Sequence, residues 1–289
     1  GSRNLDAQLA ELNQKRKELS DRLSNQKKSG PKVMIMKDMD KVRTTYILDK
    51  GSYEKRGEEV SMGIPNALPP MPENFPKNRL GLAQWIISPD NPLTSRVIVN
   101  RFWQQIFGIG LVKTAEDFGT QGETPANQEI LDYLATTFIE SGWNVKELMR
   151  LIVNSDTYKQ SSKATKVTES DSNYSLDPDN RFLSRGPRFR MPSWMLRDNA
   201  LAASGLLVPK IGGNPVNTYQ PEGVWEEASF GKKRYSRDNG ENLYRRGLYT
   251  FWRRIIAPPA FFDNSNRSTC NVKPFLTNTP LHALYMFND

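Results

Sequence analysis

Cysteine and histidine are almost absent from this chain of 289 residues. The single cysteine, Cys270, excludes an internal disulfide, a cysteine-based zinc site and a CxxCH haem attachment within this sequence. The single histidine, His282, argues against a histidine-rich metal site and against a Ser-His-Asp triad. We therefore predict no transition-metal site and no cofactor in this fragment, and a haem would need a domain that the fragment lacks. Calcium is less constrained, because carboxylates and carbonyls suffice to bind it.

Long apolar runs are also lacking. No stretch of roughly 18 consecutive apolar residues occurs, so the sequence predicts no transmembrane helix. The first residues are polar and helix-forming, so no signal peptide is predicted either. Gly1-Ser2 is typical of an expression scar, and the chain begins inside a predicted helix and stops at Asn288-Asp289. We therefore expect the chain to be a piece of a longer protein.

Acidic residues are too few to balance the basic ones. The chain has 40 Lys and Arg against 32 Asp and Glu, which gives a net charge of +8. Such an excess is explained either by solubility or by a polyanionic partner, namely nucleic acid, anionic lipid or an acidic glycan. The length is sufficient to bury a core, as one large domain or two small ones.

Residues 1–30 form a predicted helical arm. Leucines recur there in steps of three and four residues, as in an amphipathic helix with a short heptad seam: Leu5, Leu9, Leu12, Leu19 and Leu23, with Arg16 in the remaining position. Three heptads are marginal for a free coiled coil. We therefore expect the arm to pack on another domain of the intact protein.

Residues 31–76 form a second predicted segment, which combines a hairpin with a connector. Lys32–Met36 and Thr44–Leu48 are rich in β-branched residues and Met, and they flank a charged turn, so they predict a hairpin. Gly57–Pro76 carries five prolines and therefore predicts an extended connector.

Residues 77–289 form the predicted main domain, whose pattern is mostly helical. Caps and apolar periodicity predict helices at Arg79–Ile87, from Asn91-Pro92 to Gly108, from Thr124-Pro125 to Gly142, after Asn144, at Pro192–Ser204 and after Thr279-Pro280. Residues 163–175 predict a mobile loop, and alternation over Gly247–Arg253 predicts a strand. The predicted fold class is mainly α (α+β), with a helical body, a small sheet or hairpin and an N-terminal amphipathic helix.

Three polar or aromatic residues of one predicted helix are candidate ligand-binding residues. Asn100 and Trp103 share a helix face by their spacing, and Arg101 lies beside them. The functional interpretation is a polar wall with an aromatic platform for a sugar. The alternative, which we favour, is a buried hydrogen-bonded contact between helices.

Three carboxylates are weak candidates for catalysis. Glu116 and Asp117 lie in a Gly-rich loop and Glu222 in another irregular segment. Two carboxylates that face each other across a cleft could act as acid and base in glycoside cleavage. Adjacent acids more often cap helices or pair with arginine, so the structural interpretation is again preferred.

Two arginine clusters are candidate anion clamps, because planar guanidinium groups bind carboxylate, sulfate or phosphate bidentately. The first contains Arg185, Arg188 and Arg190, together with Arg181 and Arg197. The second contains Arg245, Arg246, Arg253 and Arg254, interleaved with Tyr244, Tyr249 and Trp252. The alternatives are internal pairing with aspartates and, ranked lower, binding of single-stranded nucleic acid.

A loop rich in Gly, Asn and Pro adds two aromatic candidates, Tyr219 and Trp225. Loops of this kind carry function when a scaffold holds them. These side chains could stack on sugar rings, and they could equally fill the core.

Several long blocks of the sequence resemble one known family. NPLTSRVIVNRFWQQIFGIGLVKTAEDFGTQGE resembles the opening of the uncharacterised PSD1 family, also called domain of unknown function 1553. Later blocks resemble that family in the same order: NRFLSRGPRFR, IGGNPVNTYQPEGVWEEASFG, YRRGLYTFWRR and TNTPLHALYMFND. The resemblance extends over roughly Lys32–Asp289. His282 stands where the family more often has glutamine, which argues against a catalytic base there.

The resemblance implies a setting but no established reaction. Members of the family usually form the C-terminal part of large exported proteins of planctomycetes and related bacteria, behind a cytochrome-like domain, and their genes often lie near sulfatase genes. It therefore implies a periplasmic or cell-surface location and partners among the other domains of the full-length protein.

We hypothesise a module of an exported, cytochrome-linked surface protein that binds or processes an anionic polysaccharide. The alternatives are a non-catalytic scaffold and nucleic-acid binding. Whether the chain is an enzyme is left open by its residues.

Overall fold

The computed structural model describes residues 2–30, 33–163, 173–253, 256–264, 270–273 and 276–288. The chain divides into two compact units, Gly1–Trp85 and Ile86–Asp289. Helices dominate both units, with one two-stranded sheet in the first, so the predicted mainly α class is confirmed. The domain boundaries predicted after residues 30 and 76 stay predictions.

The first unit begins with the longest helix of the described chain, α1 (Ser2–Ser29). Its side chains are solvent-exposed from Ala7 to Ser29. An exposed ion pair joins Lys15 to Glu11 one turn earlier, at 2.9 Å. The helix therefore exists as predicted, and its leucines from Leu9 to Leu23 face solvent.

The predicted hairpin is wrong in its pairing. Strand β1 (Thr45–Leu48) pairs antiparallel with β2 (Arg56–Val60), whereas residues 33–36 belong to no strand and Lys32 lies outside the described residues. The turn explains the choice, because Lys50 and Gly51 both have positive φ and reverse the chain directly after β1. The two pairings enclose loops of equal length, residues 37–43 and residues 49–55, so the turn conformation and not the loop length separates them.

Helix α2 (Arg79–Ile86) begins beside the proline-rich connector. The Trp85 indole donates to the Pro69 carbonyl at 2.9 Å, which ties the connector to the helix. A Cβ atom at Gly81 would lie 1.8 Å from the Pro76 carbonyl oxygen, so only glycine fits this contact. The connector is thus held close to the helix that follows it.

The core of the second unit is built by three helices, α3 (Thr94–Phe107), α4 (Gln128–Glu140) and α5 (Val145–Asn154). Their buried apolar side chains form one cluster with the loop after α3: Val99, Trp103, Phe107, Leu111, Val112, Leu131, Leu134, Phe138, Leu148 and Ile152. Asn144 caps α5 as predicted, by accepting from the Glu147 amide at 3.2 Å. The predicted start of α4 at Thr124-Pro125 is wrong, since Asn127 caps it.

Three short helical segments follow, together with a longer helix that matters for the site. They are α6 (Asp156–Lys159), α7 (Asn173–Leu176), α8 (Ser193–Ala203) and α9 (Val224–Ala228). Of the predicted loop at residues 163–175, residues 164–172 lie outside the described residues, and its predicted end is wrong because residues 173–175 belong to α7. Helix α8 matches the prediction, and Gly205 after it has a φ of 74°.

The predicted strand at Gly247–Arg253 is wrong. Residues Gly247–Tyr249 form a turn of 3₁₀ helix, and Thr250 makes only an isolated parallel bridge with Val216. Local bonding explains the difference, because the amides of Tyr249 and Thr250 donate back to the carbonyls of Arg246 and Gly247. The last helix, α10 (Pro280–Asn288), begins where Thr279-Pro280 predicts. In the part of the chain that the structure describes, no helix is long and apolar enough to cross a membrane.

Candidate functional site

The predicted polar wall on α3 lies mostly inside the protein. Asn100 is fully buried and its amide both donates to the Val112 carbonyl, at 3.0 Å, and accepts from the Val112 amide, at 2.9 Å. Trp103 is buried and stacks on Phe107 with ring centres 4.1 Å apart. Arg101 is exposed and borders a cavity of about 360 Å³. Asn100 and Trp103 therefore belong to the buried core, which agrees with the interpretation favoured from the sequence.

The three candidate carboxylates have no geometry that marks a catalytic pair. Glu116 and Glu222 are exposed. Asp117 is half-buried, and its carboxylate accepts from the Gly119 amide at 2.7 Å. This bond closes a local turn of the loop, which is the common use of an aspartate at such a position.

Two of the candidate arginines donate their hydrogen bonds to main-chain carbonyls. Arg185 is buried and donates to Asp177 at 2.7 Å and to Pro178 at 2.8 Å. Arg245 is also buried and donates to the carbonyls of Lys210, Gly212 and Asn214. Both side chains therefore tie loops together.

Arg190 forms an ion pair with the Asp263 carboxylate, whose side chain is 6% exposed. Burial acts to raise the pKa of Asp263, but hydrogen bonds from Thr277 and Arg190 outweigh it and hold that pKa below its usual value. Arg188, two residues earlier, is exposed. Arg190 is thus used internally, whereas Arg188 faces solvent.

The remaining candidates are divided between core and surface. Trp225 is buried, and its indole donates to the Gln220 side chain. The Arg253 guanidinium lies 5.6 Å from the centre of the Trp225 ring. Tyr219, in contrast, is about half exposed.

Two clefts lie against helix α8 and use different faces of it. Trp194 and Asp198, one helical turn apart, line the first, which we call the tryptophan cleft and which has a volume of about 430 Å³. Its other described lining residues are Arg246, Gly247, Leu248, Thr250, Trp252, Phe261 and Asn264. Leu196, Arg197, Ala200 and Leu201 line the second, larger cleft of about 550 Å³, which we call the tyrosine cleft.

The wall of the tryptophan cleft is held by contacts of Asp198 and Gly247. The Asp198 carboxylate accepts from the Gly247 amide at 2.7 Å. A Cβ atom at Gly247 would lie 3.1 Å from the Phe261 ring and 3.4 Å from the Asp198 carboxylate, so the backbone approaches both closely. Phe261 in turn contacts Trp252, with ring centres 6.0 Å apart.

Two polar groups of this cleft have no partner within the described part of the chain. Thr250 is 6% exposed, and its buried hydroxyl makes no hydrogen bond among the described residues. The Arg246 side chain is exposed and makes no ion pair or hydrogen bond among the described residues. Buried polar groups in native proteins are nearly always paired, so an unpaired one that lines a cleft indicates a place for a ligand or water.

The tyrosine cleft is larger, and its polar lining includes Tyr219, Tyr244, Tyr285 and Arg237. Arg197 also lines it, but its guanidinium donates to the carbonyls of Leu243, at 2.7 Å, and Arg245, at 2.9 Å. Its described lining contains no carboxylate.

The structure brings together residues that the sequence analysis did not combine. Trp194, Asp198 and Asn264 were not candidates, and Arg237 was not singled out. One wall of the tryptophan cleft was indicated by the sequence, since arginines and aromatic residues alternate between Tyr244 and Arg254. No local pattern indicated that this segment meets α8, because that contact depends on tertiary folding. Arg254 lies outside the described residues.

No group of three His, Cys, Asp or Glu side chains is placed to hold a metal ion among the described residues.

Residues 78–289 match the family described as PSD1, a protein of unknown function (DUF1553). Searches of curated proteins and of solved structures found no match. The matched range begins just before α2, contains both clefts and covers well over half of the chain. The chain therefore belongs to the PSD1 family of proteins of unknown function.

Proposed function

We propose that this chain is a non-catalytic binding module that holds an acidic sugar residue of a polysaccharide in the tryptophan cleft. The observation that carries the proposal is that an arginine and a buried hydroxyl, both without a partner among the described residues, lie beside two tryptophans in one concave site. Ligand sites of proteins are typically concave and mostly apolar, with a few polar groups that orient the ligand.

Arg246 supports an anionic ligand. Its guanidinium has no internal acid to neutralise it within the described residues, and it can bind carboxylate or sulfate through two parallel hydrogen bonds. The Asp198 carboxylate is the one negative group of the described lining. It is occupied by the Gly247 amide and lies 3.7 Å from Arg197, which offsets its charge.

The other residues support a sugar ring as the body of the ligand. Trp194 is 41% exposed, so part of its flat apolar surface is accessible in the cleft. Trp252 and Phe261 provide further aromatic surface. The Thr250 hydroxyl and the Asn264 amide can each donate and accept hydrogen bonds, as the hydroxyl groups of a sugar require.

The number of acidic residues in the tryptophan cleft favours binding of a sugar without cleavage. Glycoside hydrolases generally need two carboxylates, roughly 5–5.5 Å apart for retention or about 6.5–9.5 Å apart for inversion. Asp198 has no second carboxylate beside it among the described lining residues, and its position is set by a main-chain hydrogen bond. We therefore assign it a structural role in the proposed site.

The proposed setting follows the family resemblance. We propose that the module works outside the cytoplasm, in the periplasm or at the cell surface, as part of a cytochrome-linked protein. Any haem would then be carried by a different domain of that protein, and the module itself would need no cofactor.

Isothermal titration calorimetry tests the proposal, with a sulfated uronate oligosaccharide as probe and its desulfated, carboxyl-reduced form for comparison. Arg246→Ala should weaken binding of the charged probe by about 10- to 150-fold, which corresponds to roughly 1.5–3 kcal/mol for a charge-assisted hydrogen bond. Trp194→Ala should weaken binding of both probes. The matched control is Arg234→Ala, which removes an exposed arginine outside the described lining of either cleft.

Three outcomes contradict the proposal. The parent protein could bind neither probe at millimolar concentration. Arg237→Ala could reduce binding while Arg246→Ala does not, which would place the ligand in the tyrosine cleft. Single-stranded DNA could bind as tightly as the charged oligosaccharide at the same salt concentration, which would favour nucleic acid.

A further inference from the structure

Helix α1 presents an apolar stripe that nothing in the described structure covers. Leu9, Leu12, Leu19 and Leu23 are between 53% and 65% exposed. Isolated leucines on a surface are ordinary, but a contiguous stripe along one helix face marks an interaction site. The stripe lies in the first unit and is independent of the two clefts.

The stripe has the register of a coiled coil. Leu9, Arg16 and Leu23 occupy the first core position of successive heptads, and Leu12 and Leu19 occupy the second. In such a register the residues that flank the core decide which partner helix is accepted.

The flanks of this core are basic or neutral from residue 8 to residue 27. They consist of Gln8, Asn13, Lys15, Ser20, Arg22 and Lys27. The acids of this stretch, Glu11, Glu18 and Asp21, occupy positions outside the core and its flanks. Lys15 contacts Glu11, in an exposed pair, whereas Arg22 and Lys27 make no ion pair among the described residues. The positive charge of the flanks therefore favours a partner helix with acidic residues at the facing positions.

A second copy of the chain is a poor partner for this face. Parallel pairing would place Arg16 against Arg16, and antiparallel pairing of Leu9 with Leu19 would place Arg16 against Leu12. Either arrangement buries a guanidinium without a counter-charge, which is strongly unfavourable. Parallel pairing would also bring Arg22 next to Lys27 of the other copy, and like charges at these positions oppose association.

We propose that α1 docks a leucine-heptad helix of acidic character. The partner carries a carboxylate opposite Arg16 and glutamates at the positions that face Arg22 and Lys27. Such a helix satisfies the buried guanidinium with a charged hydrogen bond and covers the leucine stripe with its own leucines. This interaction goes beyond ligand binding in the clefts and gives the helix a separate role.

A designed peptide tests the proposal against the whole chain. The acidic probe has the length of α1, leucine at its core positions, glutamate opposite Arg16 and glutamate at the flanks. The matched probe has lysine in place of each of those glutamates. Fluorescence anisotropy of the labelled acidic peptide should show saturable binding, at least roughly 10-fold tighter than for the lysine peptide, and binding should weaken with added salt.

Variants of the chain separate the stripe from the rest of the helix. Leu12→Glu with Leu19→Glu should abolish binding of the acidic peptide. The control variant, Gln14→Glu with Ser24→Glu, adds the same charge outside the core and its flanks. The acidic peptide should therefore bind this control far more tightly than it binds the first variant. Circular dichroism of both variants checks that the helix persists. Arg16→Leu should make the chain self-associate in sedimentation equilibrium, because it removes the charge that opposes pairing of two copies.

Either of two results would overturn the proposal. The parent chain could sediment as a dimer that Leu12→Glu with Leu19→Glu dissociates, which would make a second copy the partner. Alternatively, the acidic and lysine peptides could bind equally, or neither could bind, which would exclude a partner selected by charge.

Discussion

Replacing Arg190 by alanine should destabilise the second unit, whereas replacing Arg188 should not. The Arg190 side chain is 22% exposed and is ion-paired with Asp263, whose side chain is 6% exposed. Its guanidinium also lies 5.3 Å from the centre of the Phe262 ring. Arg188 is exposed and forms no ion pair with an acid among the described residues. The two positions therefore form a matched pair within one segment.

The expected loss follows from what remains around Asp263. Removing one partner of a fully buried ion pair costs about 3–5 kcal/mol, because the other charge is left uncompensated. Here the Thr277 amide still donates to the Asp263 carboxylate at 2.8 Å, and the Thr277 hydroxyl donates as well. We therefore expect a smaller loss of about 2–3 kcal/mol, near the value of a charged hydrogen bond. Arg188→Ala should change stability by less than about 0.5 kcal/mol.

Thermal unfolding followed by tryptophan fluorescence measures the difference. For a unit of this size, about 2–3 kcal/mol corresponds to a fall in Tm of roughly 4–12 °C. The effect should depend on pH, since the folded-state pKa of Asp263 is lowered. The stability that the ionised Asp263 carboxylate contributes is fully present above its unfolded-state pKa of about 3.9. It is lost as the pH falls through the lower folded-state pKa. The difference in Tm between the parent and the Arg190→Ala variant should therefore become smaller below about pH 4. Equal melting temperatures of the two alanine variants at pH 7 would refute this account of Arg190.

Three further predictions concern the core, the arm and one tyrosine. Asn100→Ala should cost roughly 2–4 kcal/mol in urea unfolding, since it leaves the buried Val112 amide and carbonyl without partners; a loss below about 1 kcal/mol would contradict the pairing. Deleting residues 1–29 should leave the main thermal transition within a few degrees, because the α1 side chains described are exposed; a large fall would place the helix in the core. Burial, and secondarily the charge of Asp238, raises the pKa of Tyr235 to about 12, so ultraviolet titration should show a late ionisation that Tyr235→Phe removes. Because that folded pKa exceeds the unfolded value, its contribution to stability is present below about pH 10 and lost as pH rises through about 12.

Much of the helical architecture could be predicted because its signals are local. Asn144 with Glu147, Gly108, Gly205 and Thr279-Pro280 mark helix ends through contacts that span only a few residues. The errors occurred where two local signals competed. The turn at Lys50-Gly51 overrode a plausible strand upstream, and hydrogen bonds back to Arg246 and Gly247 replaced a strand that alternation had indicated.

The roles of the polar residues could not be read in the same way. An arginine that clamps a ligand and one that ties a loop have the same letter in the sequence, and their partners are often main-chain carbonyls, which every residue has. Arg245 bonds carbonyls more than 30 residues away, and Asp263 lies 73 residues from Arg190. The spacing of Asn100 on its helix fits a ligand-binding wall, but in the structure its side-chain amide pairs with the backbone of Val112.

By itself, then, the sequence determined the mainly helical class, most helix ends, the leucine stripe of α1 with its basic flanks, and membership of the PSD1 family. These features depend on residue spacing and on order along the chain. Only the tertiary structure decided which arginines are occupied internally and that Arg246, Thr250 and Trp252 meet Trp194 in one cleft. The physical reason is that hydrogen-bond partners and cleft walls are set by side chains distant in the chain, whose meeting depends on how the whole core packs.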